Sequence, residues 1–411
     1  MEHSVKIEKI ISNGMGLARD NGRVIMMKHV IPGEIVRYSP LITKKNYIIA
    51  DADIRVASPD RIKPQCPYFT YCGGCDFQHI RYSRQLEIKE EMLKDIFVRN
   101  ASHSLEAGID VFASKSMEYR NNIRLTADNG KLGFLKKKSS EIIDIDSCMI
   151  ADSELNALIP VIKKNSELLQ LMDYIVLRKS IGGEVLAAVK IKDDFPKREA
   201  FSPLLSEDID SVIVIDKNNE PTVIKGRHEL TDMFNNYVFT YSYRDFMQVN
   251  SRILQDIIDY MDSIIEPGRL LADLYSGTGV FSLVFSSKFK KVYSVEGTRS
   301  ASFYNRKNVK ENRAGGVKTV QRFIDNSFRL PREHIDTVII DPPRSGPADE
   351  FLRSLAGRDI GNLIYISCDP AILARDFKTI LKKRFNIERI GLFDMFPQTR
   401  HFESVAVLKK R

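Results

Sequence analysis

The sequence predicts an α/β protein in three parts: a small N-terminal β-barrel (1–58), a β-rich middle domain (59–240) and a C-terminal domain (241–411) built on a Rossmann-like sheet. Strand-like and helical segments alternate from about residue 241, which is typical of a doubly wound parallel sheet. The chain then ends with two strand-like segments, FNIERIGLFDMF and ESVAVLKK, which predict a terminal antiparallel hairpin. Short strands punctuated by Gly, Asn and Pro fill the first 58 residues, as in a small barrel.

The composition is that of a globular protein with a basic surface. Of 411 residues, 43% are hydrophobic, so the chain can bury a large core. The N-terminus lacks a basic-then-apolar leader and no run approaches roughly 18 apolar residues, so we expect a cytoplasmic protein without membrane contact. The formal net charge of +8 favours a polyanionic partner such as RNA. The oligomeric state is not encoded in these features, and a monomer is the default expectation.

The first two parts are predicted mainly from turns and periodicity. A small basic barrel can present single-stranded RNA or be purely structural, and composition leaves both interpretations open. In the middle domain, helical spacing predicts a helix from Ser83 to about Val98. The tripeptide Asp128-Asn129-Gly130 predicts the turn of a hairpin, and further strand-like segments continue to about residue 240.

The C-terminal domain contains a glycine turn suited to an adenosine cofactor. In LADLYSGTGVFSLVF an apolar strand leads through Gly277 and Gly279 into a helix. Glu296 follows 19 residues after Gly277 and can accept hydrogen bonds from both ribose hydroxyls. Ser282 replaces the third glycine of the dinucleotide fingerprint, which weakens the interpretation as a pyrophosphate site.

Several polar or reactive side chains end the predicted strands of this sheet. Ligands of open α/β sheets bind beyond the carboxyl ends of the strands, where we expect Tyr275, Glu296, Asp341 and Cys368. Cys368 is therefore a candidate nucleophile, and a buried structural thiol is the alternative. Asp369 is predicted to cap the following helix, whose N-terminus would stabilise the Cys368 thiolate.

The other four of the five cysteines predict a metal site. Cys66, Cys72 and Cys75 have x5 and x2 spacings, and Cys148 lies far downstream. Four thiolates suit either zinc or a four-iron four-sulfur cluster, and spacing does not choose between them. An odd number of cysteines in a reducing compartment argues against a disulfide framework.

A series of motifs in the C-terminal half resembles the TrmA-type RNA (uracil-5-)-methyltransferases. The motifs are FMQVN, DLYSGTG, VEG, DPPRSG, YISCDPAILARDF and DMFPQTRHFESV, in the order that this family has them. The N-terminal barrel resembles a TRAM domain, which is OB-like, through GMGLARDNGRV and VIPGEIV. CPYFTYCGGCDFQH and IIDIDSCMI are similar to the family's iron–sulfur ligand segments, and together with TRAM they point to the ribosomal-RNA branch.

This resemblance implies methyl transfer from S-adenosylmethionine (SAM) to carbon 5 of a uridine, with 23S rRNA as the expected substrate and tRNA as the alternative. It implies Cys368 as the nucleophile that adds to uracil carbon 6 and Glu403 as the base. From the residues alone, Glu403 would be a surface carboxylate. The positions that the resemblance assigns to ligands are Gln248, Tyr275, Glu296 and Asp341 for the cofactor, and Cys66, Cys72, Cys75 and Cys148 for a 4Fe-4S cluster.

Three positions depart from the family pattern and keep other functions open. Asp369 stands where relatives carry Asn, and Val280 and Phe323 stand where relatives often carry small or polar residues. A non-catalytic RNA-binding or assembly factor with a retained fold is one alternative. A nicotinamide-dependent redox enzyme is another, against which the missing third glycine argues. The modified uridine, and whether one or two are modified, is not encoded in these motifs.

Overall fold

The computed structural model describes residues 4–106, 108–137, 139–193 and 198–411, so residues 1–3 of the predicted barrel lie outside the described ranges. The helices in these ranges are α1 Tyr82–Ile96, α2 Ser153–Lys163, α3 Ser166–Leu171, α4 Ser251–Asp262, α5 Val280–Val284, α6 Arg299–Glu311, α7 Asp349–Ala356 and α8 Pro370–Thr379. Among them, no helix is both long enough and apolar enough to cross a membrane.

The N-terminal part is a six-stranded sheet with its own core, as the turn-rich sequence predicts. Its strand order is β1-β5-β6-β4-β3-β2. Alternate residues such as Val5, Ile25 and Val36 face a shared apolar interior. The strands are β1 Ser4–Lys6, β2 Lys9–Ile10, β3 Gly16–Asp20, β4 Arg23–Met27, β5 Ile35–Thr43 and β6 Tyr47–Val56.

The middle part contains a seven-stranded sheet in the order β10-β9-β8-β11-β12-β13-β14. The predicted hairpin turn is confirmed: Asn129 and Gly130 have φ of 48° and 75°, which a type I′ turn requires. Helices α2 and α3, which the sequence analysis missed, begin at the side-chain caps Asp152 and Asn165 and pack on this sheet. The strands are β8 Asn122–Asp128, β9 Lys131–Leu135, β10 Ile142–Asp144, β11 Met172–Lys179, β12 Val185–Ile191, β13 Ser211–Ile215 and β14 Pro221–Lys225.

The C-terminal part is an eight-stranded sheet in the order β19-β18-β17-β20-β21-β23-β22-β7. Strands β17 to β21 are parallel, whereas β23 runs antiparallel to both β21 and β22, which confirms the predicted terminal hairpin. A further two-stranded sheet, β15-β16, packs with α4 and α5 on one face. The strands are β7 Asp110–Phe112, β15 Glu229–Phe234, β16 Tyr237–Ser242, β17 Gly268–Leu274, β18 Phe289–Glu296, β19 Val317–Gln321, β20 Ile335–Ile340, β21 Ile360–Ser367, β22 Phe385–Phe393 and β23 Glu403–Lys410.

Two early segments join this C-terminal sheet. Strand β7 extends it by pairing in parallel with β22. The apolar face of α1, predicted from residue 83 and found from Tyr82 to Ile96, shares one core with the C-terminal strands. Residues 59–240, predicted as one domain, therefore contribute to three hydrophobic cores.

Candidate active site

Cys368 lies between a buried strand and a helix, at the edge where the parallel strands end. Strand β21 stops at Ser367, and α8 begins at Pro370. Asp369 caps α8 as predicted, because its Oδ1 accepts the N–H of Ala371 at 3.0 Å. The thiol is half-buried, which places it between the two sequence-based alternatives of an open nucleophile and a sealed core cysteine.

A cavity of about 320 Å³ opens beside this thiol. Its walls come from three distant parts of the chain: the N-terminal sheet, helix α1 and the C-terminal sheet. A volume of this order is in the range of small-molecule pockets. The lining residues are Ser12, Asn13, Met92, Ile96, Arg344, Cys368, Asp369, Pro370, Ala371, Arg400, His401 and Phe402.

The groups around Cys368 shift the pKa of its thiol in opposite directions. Burial raises the pKa of the Cys368 thiol to about 11, and the nearby carboxyls of Glu403 and Asp341 act in the same direction. Arg344 lowers this pKa through its positive charge and through a hydrogen bond to the thiol. The free protein therefore holds Cys368 mainly as the neutral thiol, with one arginine placed to stabilise the thiolate.

Glu403 is the first residue of β23, and its side chain is only 4% exposed. Burial and the neighbouring Asp341 raise the pKa of Glu403 well above its ordinary value, while Arg344 opposes them. Burial and Asp273 raise the pKa of Asp341 to about 7. Arg344 therefore acts on both Cys368 and Glu403. The DPPRSG motif contains Arg344, but the sequence analysis gave it no role.

The glycine turn after β17 is tight and has an unusual backbone. Tyr275, Gly277 and Gly279 have φ of 62°, 53° and 92°, of which the first is uncommon for a bulky residue. Glu296 holds this turn, because its Oε2 accepts the N–H of Gly277 at 3.0 Å. Its Oε1 accepts the N–H of Thr298 at 2.6 Å. Tyr275 and Glu296 therefore flank one turn, as predicted from their positions at strand ends.

A buried polar network beneath the turn explains why position 282 is Ser. The Ser282 hydroxyl donates to Asp273 and also pairs with Ser294. Asn305 donates to Ser276 and Ser294 at 3.0 and 2.7 Å, respectively. A glycine at 282 would remove one member of this network. The sequence analysis missed Asp273 and Asn305, whose contacts depend on tertiary packing.

Gln248 and Phe323 have different surroundings. Gln248 lies between β16 and α4 with a buried side chain, and its carbonyl accepts a hydrogen bond from Asn121 at 3.3 Å. In the part of the chain that the structure describes, no hydrogen bond joins the Gln248 side chain to the glycine turn. Phe323 is 70% exposed, and its ring lies directly on Gly297, next to Glu296. Val280 is buried in the first turn of α5.

The four remaining cysteines line one apolar cavity of about 160 Å³. Burial raises the pKa of Cys75 to about 12, and it also raises the pKa values of Cys72 and Cys148. Hydrogen-bond donors already point at these sulfur atoms: the Gly74 N–H at Cys72, the Gln78 side chain at Cys75, and two backbone N–H groups at Cys148. Among the described residues, no three His, Cys, Asp or Glu side chains are arranged to hold a metal ion.

Together, the sheet order, the glycine turn and a half-buried thiol beside a buried carboxyl define a methyltransferase-type Rossmann domain with a cysteine at its strand ends. The family model described as tRNA (Uracil-5-)-methyltransferase matches residues 81–411, and the chain belongs to this family. The resemblance seen in the motifs is thereby confirmed, as is the activity that it implies. The chain is an S-adenosylmethionine-dependent RNA (uracil-5-)-methyltransferase.

Similar proteins span nearly the whole chain. The 23S rRNA (uracil(1939)-C(5))-methyltransferase RlmD of Shewanella woodyi is 30% identical over 434 residues, which cover 99% of this chain and 95% of the relative. An uncharacterized RNA methyltransferase of Thermotoga maritima is 28% identical, covering 100% of this chain and 99% of that one. The solved structure of Pyrococcus abyssi tRNA (uracil-54, C5)-methyltransferase with S-adenosyl-L-homocysteine has a TM-score of 0.80 and 24% identity, covering 98% of this chain and 99% of that chain, which shows a shared fold.

Proposed function

We propose that this enzyme methylates carbon 5 of a uridine in 23S rRNA, with Cys368 as nucleophile and Glu403 as base. The observation that carries the proposal is the Cys368 thiol, which lies at an open cavity and interacts with both Arg344 and the buried Glu403 carboxyl. Carbon 5 of uracil is a poor nucleophile, so the reaction needs a thiolate to activate it and a base to finish it.

The proposed steps balance in atoms and electrons. The Cys368 thiolate forms a bond to carbon 6, and the displaced electron pair spreads over carbon 5 and oxygen 4. Carbon 5 takes the methyl group from the sulfonium of SAM, which leaves as S-adenosylhomocysteine. Glu403 then removes the proton from carbon 5, and the carbon 6–sulfur bond breaks to release the thiolate and 5-methyluridine.

The pKa values couple these steps to cofactor binding. In the free protein burial raises the pKa values of Cys368 and Glu403, which favours the protonated form of each group. SAM carries a positive charge on its sulfur. When this charge lies near Cys368 and Glu403, it lowers the pKa of both groups, because an opposite charge favours the ionised form. We therefore infer that the thiolate becomes available mainly after the methyl donor binds.

We propose that the glycine turn binds SAM. Glu296 would accept the ribose hydroxyls from its anchored position beside Gly277, and Tyr275 and Asp341 would contact the nucleoside from neighbouring strand ends. We also propose Gln248 as a cofactor residue, because it belongs to the FMQVN motif that resembles the family's. The exposed ring of Phe323, beside Glu296, offers a flat surface to the adenine.

We further propose that Cys66, Cys72, Cys75 and Cys148 hold a 4Fe-4S cluster. Two observations support this proposal. The four thiols line one cavity, and N–H donors point at their sulfur atoms, since hydrogen bonds to sulfur stabilise bound thiolates. When bound, the cluster would tie the loop 66–78 to Cys148. The methyl transfer itself moves no electron to or from the protein.

One observation favours 23S rRNA over tRNA. The Shewanella woodyi relative, described as acting on uracil 1939 of 23S rRNA, matches across the N-terminal sheet and the cysteine segments as well as the catalytic part. The net charge of +8 suits either RNA. We place the enzyme in the cytoplasm, where such RNA is found. The family description names tRNA, which makes tRNA the substrate to test beside it.

The decisive experiment offers SAM with a radiolabelled methyl group to unmodified 23S rRNA and to unmodified tRNA, followed by nucleoside analysis. We expect label in 5-methyluridine from 23S rRNA, none with Cys368→Ala, and a denaturant-resistant protein–RNA adduct with Glu403→Gln. Label in tRNA alone would refute 23S rRNA as the substrate. Tight RNA binding with no calorimetric binding of SAM would refute the enzyme and favour a non-catalytic RNA-binding factor.

A further inference from the structure

The loop 394–402, which leads from β22 to Glu403, is held in place by hydrogen bonds to Asp76. The carbonyl of Gln398 accepts the N–H groups of Asp76 and Phe77, both at 2.9 Å. The Asp76 carboxylate in turn accepts the backbone N–H of Arg400 at 3.3 Å and its Nη1 at 3.2 Å. Asp76 directly follows Cys75, so it connects the loop 394–402 to the cavity that Cys66, Cys72, Cys75 and Cys148 line.

Arg400 is the side chain at which these parts of the molecule meet. Its aliphatic stem packs against the turn of the N-terminal sheet at Gly14, where a Cβ would lie 3.0 Å from Arg400 Cδ. It also lines the Cys368 cavity and a second cavity of about 340 Å³. Arg400 therefore stands on the boundary between the two cavities.

The second cavity is positively charged. Its lining includes Lys28, Lys137 and Arg400, and Asp76 is the one carboxylate among the lining residues that the structure describes. That carboxylate is already paired with Lys137 at 3.2 Å and with Arg400. Arg400 donates from Nη1 to Asp76, and its Nε and Nη2 donate no hydrogen bond within the described ranges. A guanidinium held on one side and open on the other is suited to a phosphate.

We propose that Arg400 is an RNA-binding residue that contacts the backbone phosphate next to the target uridine, and that Asp76 is the positioning residue that holds it there. This inference rests on the proposed function, because it assumes an RNA strand with its target base at Cys368. The target uracil occupies the Cys368 cavity, and the RNA strand continues past Arg400 into the cavity that Lys28 and Lys137 line.

The test measures the equilibrium affinity for an unmodified 23S rRNA transcript at several salt concentrations. Loss of one phosphate contact reduces the slope of log K against log salt by about 0.7–0.9. We expect this reduction in Arg400→Gln, with a loss of affinity of about tenfold or more. Arg400→Lys should restore the slope but only part of the affinity, because lysine lacks the planar fork. Arg353→Gln, which removes an exposed arginine of α7, is the matched control and should change neither quantity.

The positioning role of Asp76 is tested by combining an Asp76 substitution with Arg400→Gln. We expect Asp76→Asn to raise KM for RNA by about tenfold with little change in kcat, SAM affinity or iron content. In the double variant with Arg400→Gln, the affinity should fall no further than in Arg400→Gln alone, because both changes remove one interaction. Additive losses, or an unchanged salt slope in Arg400→Gln, would overturn this inference. If wild-type protein fails to methylate the transcript, the proposed function fails instead.

Discussion

The resting state of Cys368 gives a sharp prediction, because burial and two nearby carboxyls raise the pKa of its thiol. With a pKa of about 11, roughly one Cys368 thiol in a thousand is ionised at pH 8. Alkylation requires the thiolate. The alkylation rate of Cys368 in the free protein should therefore rise about tenfold per pH unit from pH 7 to 10, without reaching a plateau.

Removing Arg344 should move this profile to higher pH. Arg344 lowers the pKa of Cys368, so Arg344→Gln raises it. A hydrogen bond to a charged group is worth about 1.5–3 kcal/mol, or about one to two pKa units. Because Arg344 is itself exposed, solvent screens its charge, and we expect the lower limit, a rate about tenfold slower at any pH below 10.

The assay is timed alkylation with iodoacetamide, followed by mass spectrometry of the peptide that contains Cys368, so that the other four cysteines do not interfere. Arg353→Gln serves as the control, since it removes an equal charge from a helix that does not line the cavity. A wild-type plateau below pH 9 would refute the reasoning, since it would mean that the thiolate is preformed. An unchanged profile in Arg344→Gln would show that Arg344 does not act on the thiol.

Three further predictions concern stability, the donor site and the metal site. Lys89→Met should destabilise the protein by about 3–5 kcal/mol in chemical unfolding, because it strands the Asp394 carboxylate, which is 2.5 Å from Lys89 with both side chains 0% exposed. Gly279→Ala should weaken SAM binding in calorimetry by about tenfold, since φ is 92° and the new Cβ would lie 2.7 Å from a neighbouring side-chain oxygen. Gly315→Ala, at a site open to solvent, should have no effect. Cys75→Ser should abolish iron binding and its visible absorbance.

Each of these predictions has a contrary outcome. Wild-type stability of Lys89→Met would mean that the Lys89–Asp394 ion pair does not stabilise the folded protein. Equal SAM affinity of the two glycine variants would remove the turn from the donor site. Full iron content after the Cys75 substitution would exclude that thiol as a ligand.

The fold was predictable where it depends on local periodicity. Alternating strands and helices, the hairpin at Asn129-Gly130 and the α1 helix all have short-range signals, and the structure confirms them. Strand β7 has three residues and pairs with β22, which lies far along the chain, so no local pattern could predict it. Helices α2 and α3 are short and were hidden among strand-like segments.

The candidate site was predictable in its positions and not in its contacts. Residues that end strands, such as Asp341 and Cys368, must lie at one edge of a parallel sheet. Glu403 was found by resemblance alone, since its residue type predicts an exposed carboxylate, yet it is buried. Arg344 and Asp76 were missed because their roles arise from side chains that reach across loops, which neither spacing nor composition encodes.

The antiparallel direction of β23 brings Cys368 and Glu403, the proposed nucleophile and base, to the same edge of the sheet. In a fully parallel sheet, the first residue of the last strand would lie at the edge opposite to Cys368. Because β23 runs the other way, Ser404 pairs with Ser367, and Glu403 begins the strand at the edge where β21 ends. Side chains alternate between faces along a strand, so shifting this register by one residue would turn Glu403 to the other face. Fixation of the loop 394–402 by the backbone N–H groups of Asp76 and Phe77 and by the buried Lys89–Asp394 pair is therefore a condition for catalysis as well as for stability.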